Sequence, residues 1–154
     1  ISITLSALAW SAAGLWQSRV TGWASPRLLV ASGAGLILAG ALGVVLAIVS
    51  GSFIAAYVAW TVAGVGMGVA YQTSWFMGSS LAEQGREGMA VSRLLLAETL
   101  GASLGSGMAG GAVALGGAAS LRTGLIAAFL IVAMGAATAT MVGMQQSSRP
   151  PGRG

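Results

Sequence analysis

The feature that most constrains this chain is a series of five long apolar runs that hold almost no charge. The runs cover about residues 1–16, 28–50, 53–78, 91–115 and 123–144. A membrane-spanning helix needs about 20 apolar residues, because roughly 30 Å of hydrocarbon is crossed at about 1.5 Å per residue. None of the runs alternates as a barrel strand does, and helices satisfy every backbone group in lipid. The sequence therefore predicts an all-α, polytopic transmembrane helix bundle with five spans.

Charged residues are too few to cover a water-facing surface. They make up 6% of the 154 residues, whereas a soluble domain carries about 25%. The mean hydropathy of +0.87 also excludes intrinsic disorder of the whole chain, which needs low hydrophobicity and high charge. The net charge of +4 is spread over the links between runs, so it does not indicate nucleic-acid binding. The expected partner is the lipid bilayer, and no nucleic acid is expected.

Cysteine, histidine and aspartate are absent from the sequence. A disulfide framework, a Cys/His metal site and a Ser-His-Asp triad are therefore impossible. These absences disfavour an enzyme, and we expect no catalytic residues, no metal site and no cofactor.

The seven arginines indicate the orientation of the spans. Six fall on one side of the predicted membrane and one on the other: Arg19, Arg27, Arg86, Arg93, Arg149 and Arg153 against Arg122. The positive-inside rule places the six-arginine side, including the C-terminus, in the cytoplasm. Residues 145–154 have nothing to bury and are expected to form a disordered cytoplasmic tail. The use of Arg without Lys, among many Ala and Gly, is typical of a GC-rich bacterial genome and favours the bacterial inner (plasma) membrane. Since the first run opens at Ile1, we expect a fragment whose upstream part is missing.

The third run places aromatic and small residues on one helical stripe. At 100° per residue the stripe holds Tyr57, Trp60, Gly64, Gly68, Tyr71 and Trp75, with Gln72 at its edge. One interpretation is a cavity wall, where aromatic rings meet an apolar or cationic ligand. The other is tight helix packing through Gly64 and Gly68, with Trp60 and Trp75 as interfacial belt residues. The deeper residues Tyr71 and Gln72 favour the cavity.

The fourth run contains the one acid that lies inside a predicted span, Glu98. It shares a face with small residues, Ala102, Gly105, Ala109 and Ala112, and we expect that face to pack against a neighbouring helix. Glu98 would then point into protein, where an ionisable group is costly and typically functional. The alternative is a structural acid near the cytoplasmic end that pairs with Arg93 or another loop arginine.

Three stretches resemble the C-terminal half of a major facilitator superfamily transporter. They are Trp60-Thr-Val-Ala-Gly-Val-Gly-Met-Gly-Val-Ala-Tyr-Gln-Thr-Ser74, Glu83-Gln-Gly-Arg-Glu87 and Leu96-Ala-Glu-Thr-Leu-Gly-Ala-Ser-Leu-Gly-Ser-Gly107. The chain is most similar to bacterial multidrug/proton antiporter-like members. On this resemblance the five runs are helices eight to twelve of a twelve-helix fold, and helices one to seven form the missing N-terminal half.

The link after the first run resembles a degenerate copy of the cytoplasmic loop signature of that family. It reads Gly14-Leu-Trp-Gln-Ser-Arg19, and Ser18 stands where the family has Asp. Gln72 likewise stands where similar sequences often have Pro. The tenth family helix, here the third run, lines the central cavity.

The resemblance implies a secondary active transporter that exports small organic molecules or drugs in exchange for protons. It implies a proton-coupling residue, Glu98, and a substrate cavity formed by Tyr71, Gln72, Trp75 and Trp60. The cytoplasmic gate would contain Gly14, Arg19 and Arg86. Partners would be the small-molecule substrate, protons and the N-terminal half. The alternative function is a non-transporting membrane scaffold or sensor, whose helices only bind partners.

Overall fold

A computed structural model of the chain describes residues 2–20, 25–80, 87–117 and 119–147. All regular structure in these ranges is helical, which confirms the all-α class. The helices are α1 (Ser2–Val20), α2 (Pro26–Ser50), α3 (Phe53–Ser80), α4 (Glu87–Gly117) and α5 (Leu121–Ser147). Within these ranges, three helices contain stretches long and apolar enough to cross a membrane: Pro26–Ser50 in α2, Phe53–Met77 in α3 and Leu121–Val142 in α5.

Small polar residues and one glycine set the boundaries of α2 and α3. The Ser25 hydroxyl accepts a hydrogen bond from the backbone N–H of Leu28, and Pro26 occupies the first turn, where no N–H is needed. Gly51 ends α2 in the left-handed conformation with φ 70°, which costs glycine little. Ser52 then caps α3 by accepting a hydrogen bond from the N–H of Ala55. The two helices are thus joined by a minimal link.

The helices form an arrangement in which α2 and α3 are central. Helix α3 packs against α2 on one side and α1 on the other, while α2 also packs against α5. Helix α4 packs mainly against α5 and makes few contacts with α3. The chain therefore leaves a groove between α3 and α4, although these helices are neighbours in sequence.

Glycines allow α2 and α3 to approach at backbone distance. A Cβ added at Gly33 would lie 2.7 Å from the carbonyl oxygen of Gly66, and one added at Gly66 would lie 2.6 Å from that of Gly33. Gly40 is equally close to the backbone of Ala59 and Ala63. Small residues that admit close contact are the usual basis of helix association in lipid.

The glycines in the middle of α4 behave differently. A Cβ added at any of five positions would meet no heavy atom within 4 Å outside the helix backbone: Gly101, Gly105, Gly107, Gly110 and Gly111. Among the described residues, no neighbouring helix covers the predicted small-residue face at Gly105, and Glu98 itself is exposed, so the packing expected for this face is not found there.

The ends of the chain differ in extent from the predicted runs. Helix α5 continues to Ser147, so the start of the predicted tail, 145–147, is helical. The remaining tail residues, 148–154, lie outside the described residues.

Candidate functional site

Three aromatic rings from two helices meet where α1 crosses α3. Tyr71 and Trp75 are one turn apart on α3, with ring centroids 6.2 Å apart and planes tilted by 53°. Trp10 of α1 lies edge-on to Tyr71, with a centroid distance of 5.7 Å and an interplanar angle of 82°. Edge-to-face contacts at this distance are favourable because the positive ring edge meets the negative ring face. The Tyr71 ring is thus flanked by two indoles.

Tyr71 also connects α3 to α4 through a side-chain hydrogen bond. Its hydroxyl donates to Oε1 of Glu98 at 3.0 Å. A hydrogen bond to an ionised carboxylate is stronger than one between neutral groups. The Glu98 side chain is otherwise exposed. Two residues that the sequence assigned to separate roles, cavity wall and proton coupling, are therefore brought together.

A groove of about 290 Å³ surrounds this hydrogen bond. Its walls come from one face of α3 and one face of α4: Met67, Ala70, Tyr71, Ser74, Trp75, Leu94, Ala97 and Glu98. The surface is mostly apolar, and its polar side-chain groups are one carboxyl group, two hydroxyls and the indole N–H of Trp75. Apolar walls with a few placed polar groups are typical of small-molecule sites.

Gln72 lies on the α1 side of the same region. A Cβ added at Gly14 would lie 3.2 Å from the Gln72 amide nitrogen and 3.3 Å from its Cγ. The predicted gate residue Gly14 and the predicted cavity residue Gln72 are thus adjacent across the α1–α3 contact. Gln72 itself is exposed and does not line the groove.

Trp60 is not brought into this groove. Its ring lies edge-on to Phe129 of α5, with centroids 5.6 Å apart and an interplanar angle of 86°. Eleven residues separate Trp60 from Tyr71, which amounts to about 16 Å along a helix. The two rings share a stripe but not a site.

Most of the predicted cytoplasmic gate lies outside what the structure describes. Arg86 falls between α3 and α4, outside the described residues, and the side chain of Arg19 in α1 is likewise not described. Gly14 is the gate residue whose surroundings are described.

The sequence did not single out several residues that line the groove or contact its lining. Trp10 is the most consequential, because it comes from α1 and contacts Tyr71 directly. Its position in the middle of a predicted span, away from the interfacial belts where Trp is usual, was the available signal. Met67, Leu94 and Ser74 carried no signal of this kind.

A larger groove, of about 520 Å³, lies between α2 and α3 near the Ser50–Ser52 link. Apart from Ser50, it is lined by Gly and apolar residues, including Gly40, Gly43 and Ala59. It contains no ionisable side chain and so offers no group for proton exchange. Over the described ranges, no cluster of three or more Asp, Glu, His or Cys that could hold a metal ion is found.

Comparison of the chain with family models, with curated protein sequences and with solved structures gives no match.

Proposed function

We propose that the chain is the C-terminal part of a major facilitator-like secondary transporter, which exports small organic molecules in exchange for protons. The observation that supports this most directly is the Tyr71–Glu98 hydrogen bond at 3.0 Å. It places a titratable carboxyl group beside aromatic rings in a groove of about 290 Å³. A carboxyl group in an apolar, membrane-embedded site is by default a functional group.

Five membrane spans are part of this proposal. Helix α1 has 19 residues and α4 has 31, and at about 1.5 Å per residue both are close to or longer than what a bilayer core requires. Arg93 and Glu98 lower the hydropathy of α4, as expected for a helix that faces a polar pathway and not lipid. Helices one to seven would cover the open face of α4.

In this mechanism Glu98 takes up and releases a proton as the groove alternates between the two sides of the membrane. The Tyr71 hydroxyl stabilises the ionised carboxylate, while Tyr71 and Trp75 supply apolar ring surface for the substrate. Protonation neutralises the acid and removes the charge-assisted part of its bond to Tyr71. The two halves of the transporter then rock around the site, and no nucleotide, metal or organic cofactor takes part.

The decisive experiment compares Glu98→Gln with the wild type in everted membrane vesicles that contain the complete protein. Gln keeps the shape and hydrogen-bonding capacity but does not titrate. We expect normal insertion, with proton-driven flux of drug-like cations reduced about tenfold or more and downhill flux partly retained. Wild-type flux should collapse when a protonophore is added. Normal coupling in a well-folded Glu98→Gln variant would remove Glu98 from the mechanism.

The two tyrosines of the chain provide a matched control. Tyr71→Phe removes the hydroxyl that contacts Glu98, whereas Tyr57→Phe makes the same chemical change elsewhere on α3. Coupled flux should fall in the first variant and stay unchanged in the second. Equal effects of both changes would indicate a general loss of stability.

The alternative, a non-transporting scaffold or sensor, is favoured by the open glycine face of α4, which offers a surface for a partner helix. It predicts no gradient-dependent flux in the vesicle assay and no difference between the two tyrosine variants.

The proposed orientation has a separate test, because the chain contains no cysteine of its own. Ala119 is exposed in the α4–α5 link, and Gln145 is exposed near the end of α5. An impermeant thiol reagent added to intact cells should label a cysteine at position 119 and not one at position 145. The reverse pattern would place the C-terminus outside the cytoplasm.

A further inference from the structure

Tyr71 must hold its hydroxyl toward α4 although α3 and α4 barely pack against each other. The two helices make few backbone contacts, and the Glu98 side chain is exposed. Packing between α3 and α4 therefore does not fix the Tyr71 ring. A tyrosine has two side-chain torsions, and its second is broad. A contact from a helix other than α4 therefore helps to set the orientation of the ring.

Trp10 of α1 makes this contact with the Tyr71 ring. Its indole meets the Tyr71 ring edge-on, with an interplanar angle of 82°, on a helix that does not contact α4 among the described residues. Trp75 also flanks Tyr71 and constrains its ring, but it belongs to α3 itself and so gives no link to another helix. Trp10 is thus the flanking ring that comes from another helix.

Gly68 allows Trp10 to lie directly against the backbone of α3. A Cβ added at Gly68 would lie 2.6 Å from the carbonyl oxygen of Trp10, 3.0 Å from its Cδ1 and 2.9 Å from the Cβ of Ala13. Helix α1 therefore lies against the backbone of α3 at this level. Gly68 and Tyr71 are three residues apart and share a face of α3. The close crossing brings the Trp10 indole next to the Tyr71 ring.

We propose that Trp10 is a positioning residue, whose indole holds the Tyr71 ring so that the Tyr71 hydroxyl reaches Glu98. The inference rests on the proposed proton-coupling role of Glu98, and it adds α1 to that function. Contacts run from Trp10 on α1 through Tyr71 on α3 to Glu98 on α4. A displacement of α1 along α3 would release Tyr71 and thereby change the hydrogen bonding of the acid.

The test reads the Tyr71 hydroxyl directly and does not require transport. This chain has two tyrosines, so in a Tyr57→Phe background the ¹³Cζ-tyrosine NMR signal that disappears on further Tyr71→Phe substitution belongs to Tyr71. In lipid nanodiscs, Glu98→Gln should shift that signal because a carboxylate acceptor is replaced by an amide. This shift measures the contact between Tyr71 and Glu98.

Trp10→Ala should abolish the shift caused by Glu98→Gln, and Trp10→Phe should retain it, because Phe keeps an aromatic ring beside Tyr71. Trp60→Ala is the matched control: it removes the partner of Phe129 in another edge-to-face pair and should leave the shift intact. Trp10→Leu keeps apolar bulk without a ring, so it replaces Trp10→Ala if that variant does not fold, and it should also abolish the shift. A full shift in a helical Trp10→Ala or Trp10→Leu variant would overturn the proposal.

Failure of this proposal is distinguishable from failure of the proposed function. If Trp10 positions Tyr71 but Glu98→Gln leaves proton coupling normal, the NMR result stands and the transport role of Glu98 falls. If coupling depends on Glu98 while Trp10→Ala leaves both the shift and the coupled flux unchanged, Trp10 is not a positioning residue.

Discussion

Helices α3 and α4 are both rich in glycine, yet the glycines in the middle of each helix have opposite surroundings. On α3, Gly66 and Gly68 contact the backbones of α2 and α1 so closely that an added methyl group would overlap them. On α4, Gly101 and Gly105 face open space within the described residues. The same residue type thus closes one helix pair and leaves another surface free. Glycine spacing indicates where another helix can approach closely. Only the structure shows whether a helix of this chain does so.

The largest expected effect comes from Gly66→Ala on α3, which is compared with Gly105→Ala on α4. Gly66→Ala places a Cβ 2.6 Å from the carbonyl oxygen of Gly33 and should destabilise the fold by about 1–3 kcal/mol, because the backbones must separate. Gly105→Ala should leave stability unchanged or raise it by up to about 1 kcal/mol, since its Cβ meets no described atom and alanine is the better helix former. Thermal unfolding in detergent, followed by circular dichroism, measures both. Similar losses in the two variants would show that the surroundings do not decide the outcome.

A smaller effect is expected where α3 and α4 meet. Tyr71→Phe removes the hydrogen bond to Glu98 with little change in volume. Since few other contacts join these helices, α4 should move more freely relative to α3 while helix content stays the same. Spin labels at the exposed positions Val58 and Leu100 would report this as a broader distance distribution. The Tyr57→Phe control should leave the distribution unchanged, and an unchanged distribution in Tyr71→Phe would mean that the packing of α4 on α5 holds the α3–α4 distance without this bond.

The smallest effect is expected at Gly14. A Cβ added there meets the flexible end of Gln72 at 3.2 Å, so the amide group moves aside. Gly14→Ala should change stability by no more than about 0.5 kcal/mol. Gly68→Ala, at the same α1–α3 contact, meets the backbone oxygen of Trp10 at 2.6 Å and should cost more. The ratio of the two unfolding free-energy changes checks this; a larger cost at Gly14 would mean that Gln72 is held rigidly.

The helical class was predictable because the apolar runs are long and lack charge, and a helix satisfies its own backbone. The boundaries at Ser25, Gly51 and Ser52 follow from capping chemistry that the sequence also displays. Contacts between helices were less predictable. Trp60 and Tyr71 share a helical stripe, because periodicity gives the angle of a residue around the helix axis. It does not give contacts with other helices, and in the structure the two rings belong to different ring pairs.

Individual residues of the candidate site were predictable from the sequence, but the contacts between them were not. Tyr71 stood out as a polar aromatic and Glu98 as an acid in an apolar run. Their hydrogen bond spans 27 residues and depends on how α4 packs on α5, which no local pattern encodes. Trp10 was missed for the same reason, because its partner lies on another helix.

The minimal link between α2 and α3 also bears on the order of assembly. A connection of two residues, Gly51 and Ser52, makes the entropy of loop closure small, so this hairpin can form as soon as both helices are synthesised. Helix α5 contacts α2 across a sequence separation of at least 71 residues, from Ser50 to Leu121, and α4 depends on α5 for its main contact. We therefore expect α4 to reach its final position only after α5 has been synthesised. The bond between Tyr71 and Glu98 is consequently among the last native contacts to form, and it reports that the helices have reached their final arrangement.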